Sequence, residues 1–336
     1  YALLESVDPS TVSYAQERLA LYTSLIEREP RNPTVRKQLG LFHAQLGELE
    51  RAEEELSRVV SLNPYSADGY YNLGFLYRVQ GRYDRALRSF QTADSLRPGY
   101  ARDELAFTLI ELGRYAEARR HLVTGLGTPG ADPEQVIWTH LSLGGLAIEA
   151  GDTATARAEI ESAARLVGTG TGGEDFVRQT VLGEKAHLAW VRGDAPELDR
   201  ILLQMEAVPS ETPALHLARA QRSMLAADST AAIRELEQAV EASSANQQPT
   251  YLYELADVLR AAGRVDEAEE AYRRILTINP DWPRAHYGLG MAFAARGEPA
   301  AARRELGRFL ELWSGADSTL KEVRQARETL AGLEAS

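Results

Sequence analysis

The stretch Ala67–Pro98 reads ADGYYNLGFLYRVQGRYDRALRSFQTADSLRP and holds two amphipathic patterns separated by a break at residues 80–82. In each half, apolar or small residues recur at intervals of three and four, which is the stripe of one helix face. The first stripe consists of Tyr70, Leu73, Gly74 and Tyr77, and the second of Tyr83, Ala86, Leu87, Phe90 and Ala93. The stretch therefore predicts a helix hairpin with an apolar seam on both helices.

This hairpin cannot bury its seam alone, and the sequence around it repeats at a fixed distance. Gly40 and Gly74 lie 34 residues apart. The same distance of 34 residues separates Gly263 from Gly297 near the other end of the chain. Such a period indicates a solenoid, in which each hairpin stacks on copies of itself.

The pattern resembles the tetratricopeptide repeat. The residues that carry the resemblance in the stretch above are Tyr70, Leu73, Gly74, Tyr77, Gly81, Ala86, Phe90, Ala93 and Pro98. The resemblance covers residues 32–313 and implies an all-α, right-handed solenoid of about eight helix-turn-helix repeats.

The predicted organisation of the chain follows from this period and from the breaks in it. We expect a capping helix or partial repeat at 1–31, repeats one to four at 32–167, a Gly/Thr linker at 168–173, repeats five to eight at 174–313 and a capping helix at 314–336. A polar-faced terminal helix is what a solenoid needs at its exposed end.

Composition and charge exclude several classes of function. The net charge is −12 with acids and bases interspersed, which disfavours nucleic-acid binding because phosphate recognition needs a basic stripe. No apolar run approaches the roughly 18–20 residues of a membrane-spanning helix. Cysteine is absent, so disulfides, thiolate ligands and cysteine nucleophiles are excluded.

The sequence contains no motif that carries catalysis or metal binding. The patterns G-x-S-x-G and H-E-x-x-H do not occur, and no two histidines have metal-ligand spacing. His140, His216 and His286 share one position in the first helix of their repeats, where we expect packing. Residues 168–173 match G-x-G-x-x-G, but no strand precedes them, as the dinucleotide fingerprint requires. We predict a non-enzymatic protein with no cofactor and no metal.

The resemblance implies a binding surface, because in this family the first helix of each repeat lines a concave groove. The residues at its inward positions are mostly aromatic, and such residues suit an extended peptide or a protein surface. They are Tyr71, Phe75, Arg78, Tyr100, Asp103, Phe107, Trp138, His187, Trp190, Tyr253, Arg260 and Tyr287, with Ile148, Met224 and Met291 beside them. The alternative is that several of these side chains pack against the neighbouring repeat.

One specific groove function of the family is not predicted. Chaperone-adaptor repeats hold a C-terminal carboxylate with a Lys/Asn/Asn/Lys/Arg clamp. Lys37 and Asn72 fall on two of those positions, whereas Leu41, Tyr100 and Glu104 fill the others. Because most clamp groups are missing, binding of a chaperone tail is not expected.

The sequence thus predicts a protein–protein interaction scaffold that binds a peptide or protein surface in its groove. The alternative is an accessory subunit docked on a larger assembly, such as a membrane-bound complex, through its convex face or its ends. The first residue is Tyr rather than Met, and arginine greatly outnumbers lysine. We take these features to indicate a bacterial protein with a periplasmic or otherwise extracytoplasmic location, with the cytoplasm as the alternative.

Overall fold

A computed structural model describes residues 9–126, 133–168, 174–208, 211–244 and 247–334. Within these residues the chain forms 18 α-helices and no β-strand, so the predicted all-α fold class is confirmed. The helices are α1 (Pro9–Arg28), α2 (Pro33–Gln45), α3 (Leu49–Leu62), α4 (Ala67–Val79), α5 (Tyr83–Leu96), α6 (Arg102–Glu111), α7 (Tyr115–Leu126), α8 (Pro133–Glu149), α9 (Thr153–Leu166), α10 (Glu174–Val191), α11 (Ala195–Glu206), α12 (Pro213–Leu225), α13 (Ser229–Ala242), α14 (Gln248–Ala261), α15 (Val265–Ile278), α16 (Pro283–Ala295), α17 (Pro299–Leu312) and α18 (Lys321–Glu334).

The helices belong to two compact units, residues 1–108 and 109–336, which we call unit 1 and unit 2. Each repeat consists of a first helix and a second helix, beginning with α2 and α3. The boundary between the units lies within α6. The predicted linker at 168–173 falls largely on residues 169–173, outside the described residues, and it stays a prediction.

A close approach at one glycine joins the two helices of a repeat. A Cβ added to Gly74 on α4 would lie 2.7 Å from the ring of Phe90 on α5, so only glycine admits the ring at this distance. Three further repeats place a glycine opposite a large side chain sixteen residues later. Those pairs are Gly40 with Leu56, Gly144 with Ile160, and Gly290 with Leu306. The Gly74 of the opening stretch therefore serves close helix packing, which offsets its cost in helix propensity.

The turn between the two helices of a repeat uses a second glycine. Gly81 has φ 73°, the left-handed conformation that closes a helix without a steric penalty. Equivalent glycines with positive φ end the first helices of most other repeats. In the repeat formed by α12 and α13, the same position holds Ala227 with φ 58°. This repeat makes the same turn with a residue that does not favour it.

A polar pair also recurs between first and second helices. The Nδ1 atoms of three histidines lie 2.6–2.9 Å from glutamates nineteen residues later. The pairs are His140 with Glu159, His216 with Glu235, and His286 with Glu305. In the first repeat, Arg36 and Glu55 form the corresponding pair at 2.6 Å. These pairs explain why a polar residue occupies a packing position between the two helices of a repeat.

The C-terminal part of unit 2 contacts the N-terminal part of the same unit. The Trp313 indole donates a hydrogen bond to the carbonyl oxygen of Glu111 at 2.9 Å. The backbone N–H of Asp317 donates to the carbonyl oxygen of Gly113 at 2.9 Å, and its carboxylate accepts from the N–H of Ala116 at 2.9 Å. Beyond these contacts, α18 buries Val323 against the α17 side chains.

Candidate functional site

Two of the predicted aromatic residues of unit 1, Tyr71 and Tyr100, pack with the ring of Phe90 in one cluster on α4, α5 and the turn before α6. The Tyr71 ring lies between two others, with its centroid 5.8 Å from that of Phe90 and 5.1 Å from that of Tyr100. Phe90 is buried, whereas Tyr71 and Tyr100 remain partly exposed. One side of this cluster is therefore core and the other is accessible surface.

Hydrogen bonds and ion pairs hold these rings in place. The Tyr71 hydroxyl donates to Glu104 at 3.1 Å, and the Arg78 guanidinium pairs with the same carboxylate at 3.4 Å. Arg78 also lies over the ring of Phe75, 5.2 Å from its centroid. Burial, followed by the charge of Glu104, raises the pKa of Tyr71, so its hydroxyl stays protonated. The cluster is thus fixed before any partner arrives.

A second network occupies the positions that resemble the carboxylate clamp. Asp68 pairs with Lys37 at 3.4 Å and with Arg97 at 3.3 Å. The Arg97 guanidinium also lies 4.1 Å from the centroid of the Tyr100 ring. The Tyr100 hydroxyl, followed by the charges of Lys37 and Arg97, lowers the pKa of Asp68. Since Lys37 already pairs with Asp68, it is not a free cation of the kind that a clamp uses.

The remaining predicted residues of unit 1 lie on α6. Phe107 is 38% exposed and is the most accessible of the unit 1 phenylalanines at the predicted positions. Asp103 is partly exposed. Unit 1 thus has accessible rings on two first helices, Tyr71 and Phe75 on α4 and Phe107 on α6.

In unit 2 the most exposed aromatic contact joins α8 and α10. The ring centroids of Trp138 and Phe176 lie 6.1 Å apart. Trp138 packs partly on the core of its repeat, while Phe176 is 57% exposed. The two residues therefore form an aromatic contact between the first helices of consecutive repeats.

The other predicted residues of unit 2 differ in how accessible they are. His187 and Trp190 are partly exposed and contact each other, with ring centroids 5.6 Å apart. Tyr253 is partly buried, and its ring centroid lies 6.1 Å from that of Tyr272. Arg260 is also partly buried and forms an ion pair with Asp257. Met224 and Met291 are partly buried, whereas Ile148 and Tyr287 are buried. Because Tyr287 is buried and donates to Gln325 at 2.6 Å, it does not belong to an open surface.

Arg284 on α16 contacts side chains from several other helices of unit 2. Its guanidinium donates to the Tyr115 hydroxyl at 2.7 Å and approaches Glu149 at 3.3 Å and Glu322 at 3.8 Å. It also lies 6.0 Å from the ring centroid of Tyr253. These residues come from α7, α8, α14 and α18, so one side chain connects five helices.

Two glutamates of unit 2 lack such contacts. Glu184 on α10 and Glu254 on α14 make no hydrogen bond or ion pair with any described residue. Burial raises the pKa of each carboxyl to about 7. Burial also lowers the pKa of the nearby His187, while the charge of Glu149 opposes that shift. Unit 2 thus holds carboxyl groups that change charge near neutral pH.

Sequence reasoning missed Arg284, Glu184, Glu254 and Phe176. It treated acidic residues as solvated surface, although Glu184 lies one helical turn before the predicted site residue His187. That spacing is a signal for a shared helix face. Glu254 directly follows Tyr253, and because adjacent residues do not share a helix face, no such signal marks it. Nothing local marks Arg284, because its partners lie up to about 170 residues away, as with Tyr115.

The described residues contain no group of three or more His, Asp or Glu side chains that could hold a metal ion. None of the helices in this part of the chain is long and apolar enough to span a bilayer.

Family models of the tetratricopeptide repeat match six segments of the sequence. The matched residues are 19–67, 67–100, 99–123, 137–162, 249–292 and 283–308. They include both units and, together, more than half of the chain. The chain belongs to the tetratricopeptide repeat family. The resemblance of the opening stretch is confirmed, and the family and fold support a protein-interaction scaffold.

Two curated proteins share sequence similarity with this repeat protein. It is 26% identical over 316 residues to the cellulose synthase 1 operon protein C of Komagataeibacter xylinus, covering 88% of this chain and 22% of that protein. It is 29% identical over 105 residues to the lipoprotein NlpI homolog of Haemophilus influenzae, covering 31% of this chain and 33% of that protein. The chain thus spans about a fifth and a third of the lengths of these relatives.

Among solved structures, the repeat protein is similar to PilW, described as a widely conserved type IV pilus biogenesis factor. The TM-score is 0.50 at 16% identity, and the alignment covers 61% of this chain and 91% of PilW. At this identity the similarity concerns the fold.

Proposed function

We propose that this tetratricopeptide repeat protein is a non-enzymatic scaffold that binds an extended peptide or a protein surface on its first helices. The observation that carries the proposal is the set of partly exposed aromatic side chains on these helices. In unit 1 they include Tyr71, Phe75 and Phe107, and in unit 2 they include Trp138 and Phe176. Aromatic side chains supply large contact areas at low entropic cost.

The surroundings of these rings support binding of a partner. Glu104 holds the Tyr71 hydroxyl, and Arg78 lies over Phe75, so both rings are positioned before binding. A surface positioned in advance loses less conformational entropy when it binds. Charged groups at the border would align the polar backbone and side chains of the partner.

We further propose an extracytoplasmic location. One relative is named as a lipoprotein, which supports an envelope-associated setting. An accessory role in a larger assembly is compatible with the same scaffold, since a first-helix surface can bind another subunit as well as a free peptide.

A capture experiment with matched variants tests the proposal. Phe75→Ala and Phe176→Ala each remove an accessible first-helix ring, and Leu203→Ala removes a side chain that is 69% exposed on the second helix α11. Proteins captured from source cells are quantified by mass spectrometry. We expect at least one specific partner to fall by about tenfold with a Phe variant and to stay unchanged with Leu203→Ala. Equal capture by all three variants would remove the first-helix surface from consideration.

A further inference from the structure

A cavity of about 510 Å³ lies between α9, α10 and α11 in unit 2. Its floor includes the buried side chains Ile160 and Leu188, and its wall is charged. Pockets of this volume hold small molecules or single side chains. Two of the three helices, α9 and α11, are second helices, so the cavity is separate from the proposed first-helix surface.

Four cationic side chains line this cavity. Arg157 comes from α9, Lys185 and Arg192 from α10 and the residue after it, and Arg200 from α11. Lys185 is one of three lysines in the whole sequence, which has a net charge of −12. The wall also carries the carboxylates of Glu161, Asp194 and Glu197, so basic side chains exceed acidic ones by one in a chain that is acidic overall.

Most of the acidic groups in the wall are already engaged. Glu197 pairs with Arg200, and the Asp194 carboxylate accepts the N–H of Glu197 at 3.1 Å as the N-cap of α11. Among the described residues, neither Lys185 nor Arg192 has an ion pair or a hydrogen bond.

Arg157 likewise makes no ion pair or hydrogen bond with a described residue. The remaining acidic group of the wall, Glu161, is exposed. Arg157, Lys185 and Arg192, which have no ion pair with a described residue, thus line the cavity together with two carboxylates that also lack an ion pair there, those of Glu161 and Asp194.

We propose that this cavity binds an oxyanion, a carboxylate or a phosphate group, whose apolar neighbouring atoms rest on Ile160 and Leu188. Arginine offers planar, paired donors to such groups, and lysine adds a compact charge. Arg157 lies on α9, Lys185 lies on α10 and Arg192 follows α10 directly. An anion between these side chains would form ion pairs that they do not make with any described residue. The site is independent of the first-helix surface.

Calorimetric titrations of the full chain with inorganic phosphate and with glutarate, in about 150 mM NaCl, test this site. We expect saturable binding of at least one anion with a dissociation constant of about 1 mM or lower. Tighter phosphate binding would indicate a phosphate ligand, and tighter glutarate binding a carboxylate. No saturable binding of either below about 10 mM would overturn the proposal.

A matched pair of double variants shows where the anion binds. Lys185→Gln with Arg192→Gln should weaken binding at least tenfold. Arg178→Gln with Lys321→Gln removes the same charges from exposed positions outside the cavity and should change binding less than twofold. Equal weakening by both pairs would show diffuse electrostatics and contradict a defined site. Tryptophan fluorescence confirms that each variant folds, since all four tryptophans lie in unit 2.

Discussion

Two repeats, one in each unit, reach the same geometry with different residues. In α4–α5 of unit 1, Gly74 faces the ring of Phe90. In α12–α13 of unit 2, the equivalent positions hold Ala220 and Leu236, both fully buried. A larger residue on the first helix is thus matched by a smaller one on the second. The comparison teaches that the Phe90 ring, rather than the repeat frame as a whole, is what requires glycine at position 74.

The polar and turn positions of the same two repeats differ as well. Gly81 of the first repeat corresponds to Ala227, which keeps a left-handed conformation at φ 58°. Where unit 1 has Tyr70 and Ser89, unit 2 has the hydrogen-bonded pair His216 and Glu235. The unit 2 repeat therefore gains a polar pair between its helices and carries strain in its turn.

The largest expected effect comes from enlarging the glycine at the helix contact. Gly74→Ala should destabilise unit 1 by about 2 kcal/mol, because its new methyl group overlaps the Phe90 ring despite a better helix propensity. Adding Phe90→Leu should recover at least about 1 kcal/mol relative to additivity. Hydrogen exchange of α4 and α5 measures both, since unit 1 lacks tryptophan. If the effects of Gly74→Ala and Phe90→Leu on stability simply add, the size of the Phe90 ring is not the reason for glycine at position 74.

Two adjacent glycines of α8 provide the control for this prediction. A Cβ on Gly144 would meet Ile160 at 2.9 Å, whereas one on Gly145 would meet nothing within 4 Å. Gly145→Ala should stabilise unit 2 by about 0.5–1 kcal/mol through helix propensity. A loss of stability at Gly145 would show that glycine contributes something other than space.

The next largest effect tests the polar pair that distinguishes the unit 2 repeat. Glu235→Ala removes the main hydrogen-bond partner of the buried His216 and should cost about 1–2 kcal/mol. Glu237→Ala changes an exposed residue on the same helix and should cost less than about 0.5 kcal/mol. Urea unfolding followed by tryptophan fluorescence measures both. Similar values for the two variants would mean that the pair is incidental.

The smallest expected effect concerns the strained turn. Ala227→Gly should stabilise unit 2 by about 1 kcal/mol, because glycine adopts the left-handed conformation without a Cβ penalty. The reverse change in the next repeat, Gly263→Ala at φ 78°, should destabilise unit 2 by a similar amount. Thermal unfolding followed by tryptophan fluorescence gives both signs, and a destabilised Ala227→Gly variant would contradict the comparison.

The repeat frame was predictable from the sequence because its determinants are local. Gly74, Gly81 and Phe90 act within one hairpin, and their spacing is visible in thirty-two letters. The accessibility of candidate site residues was not predictable, because one helical position can be core or surface. Tyr287 is buried while Phe107 is accessible, although both were placed on the same predicted face.

The most direct test of the central proposal places a photo-crosslinking amino acid at single positions in the source cells. Phe75 and Phe176 carry the crosslinker on first helices, while Tyr65 and Leu203 carry it at exposed positions outside the first helices. If the first helices bind the partner, the same protein is crosslinked from Phe75 or Phe176 and from neither control position. Crosslinks to that protein from Tyr65 or Leu203 alone would contradict the proposal.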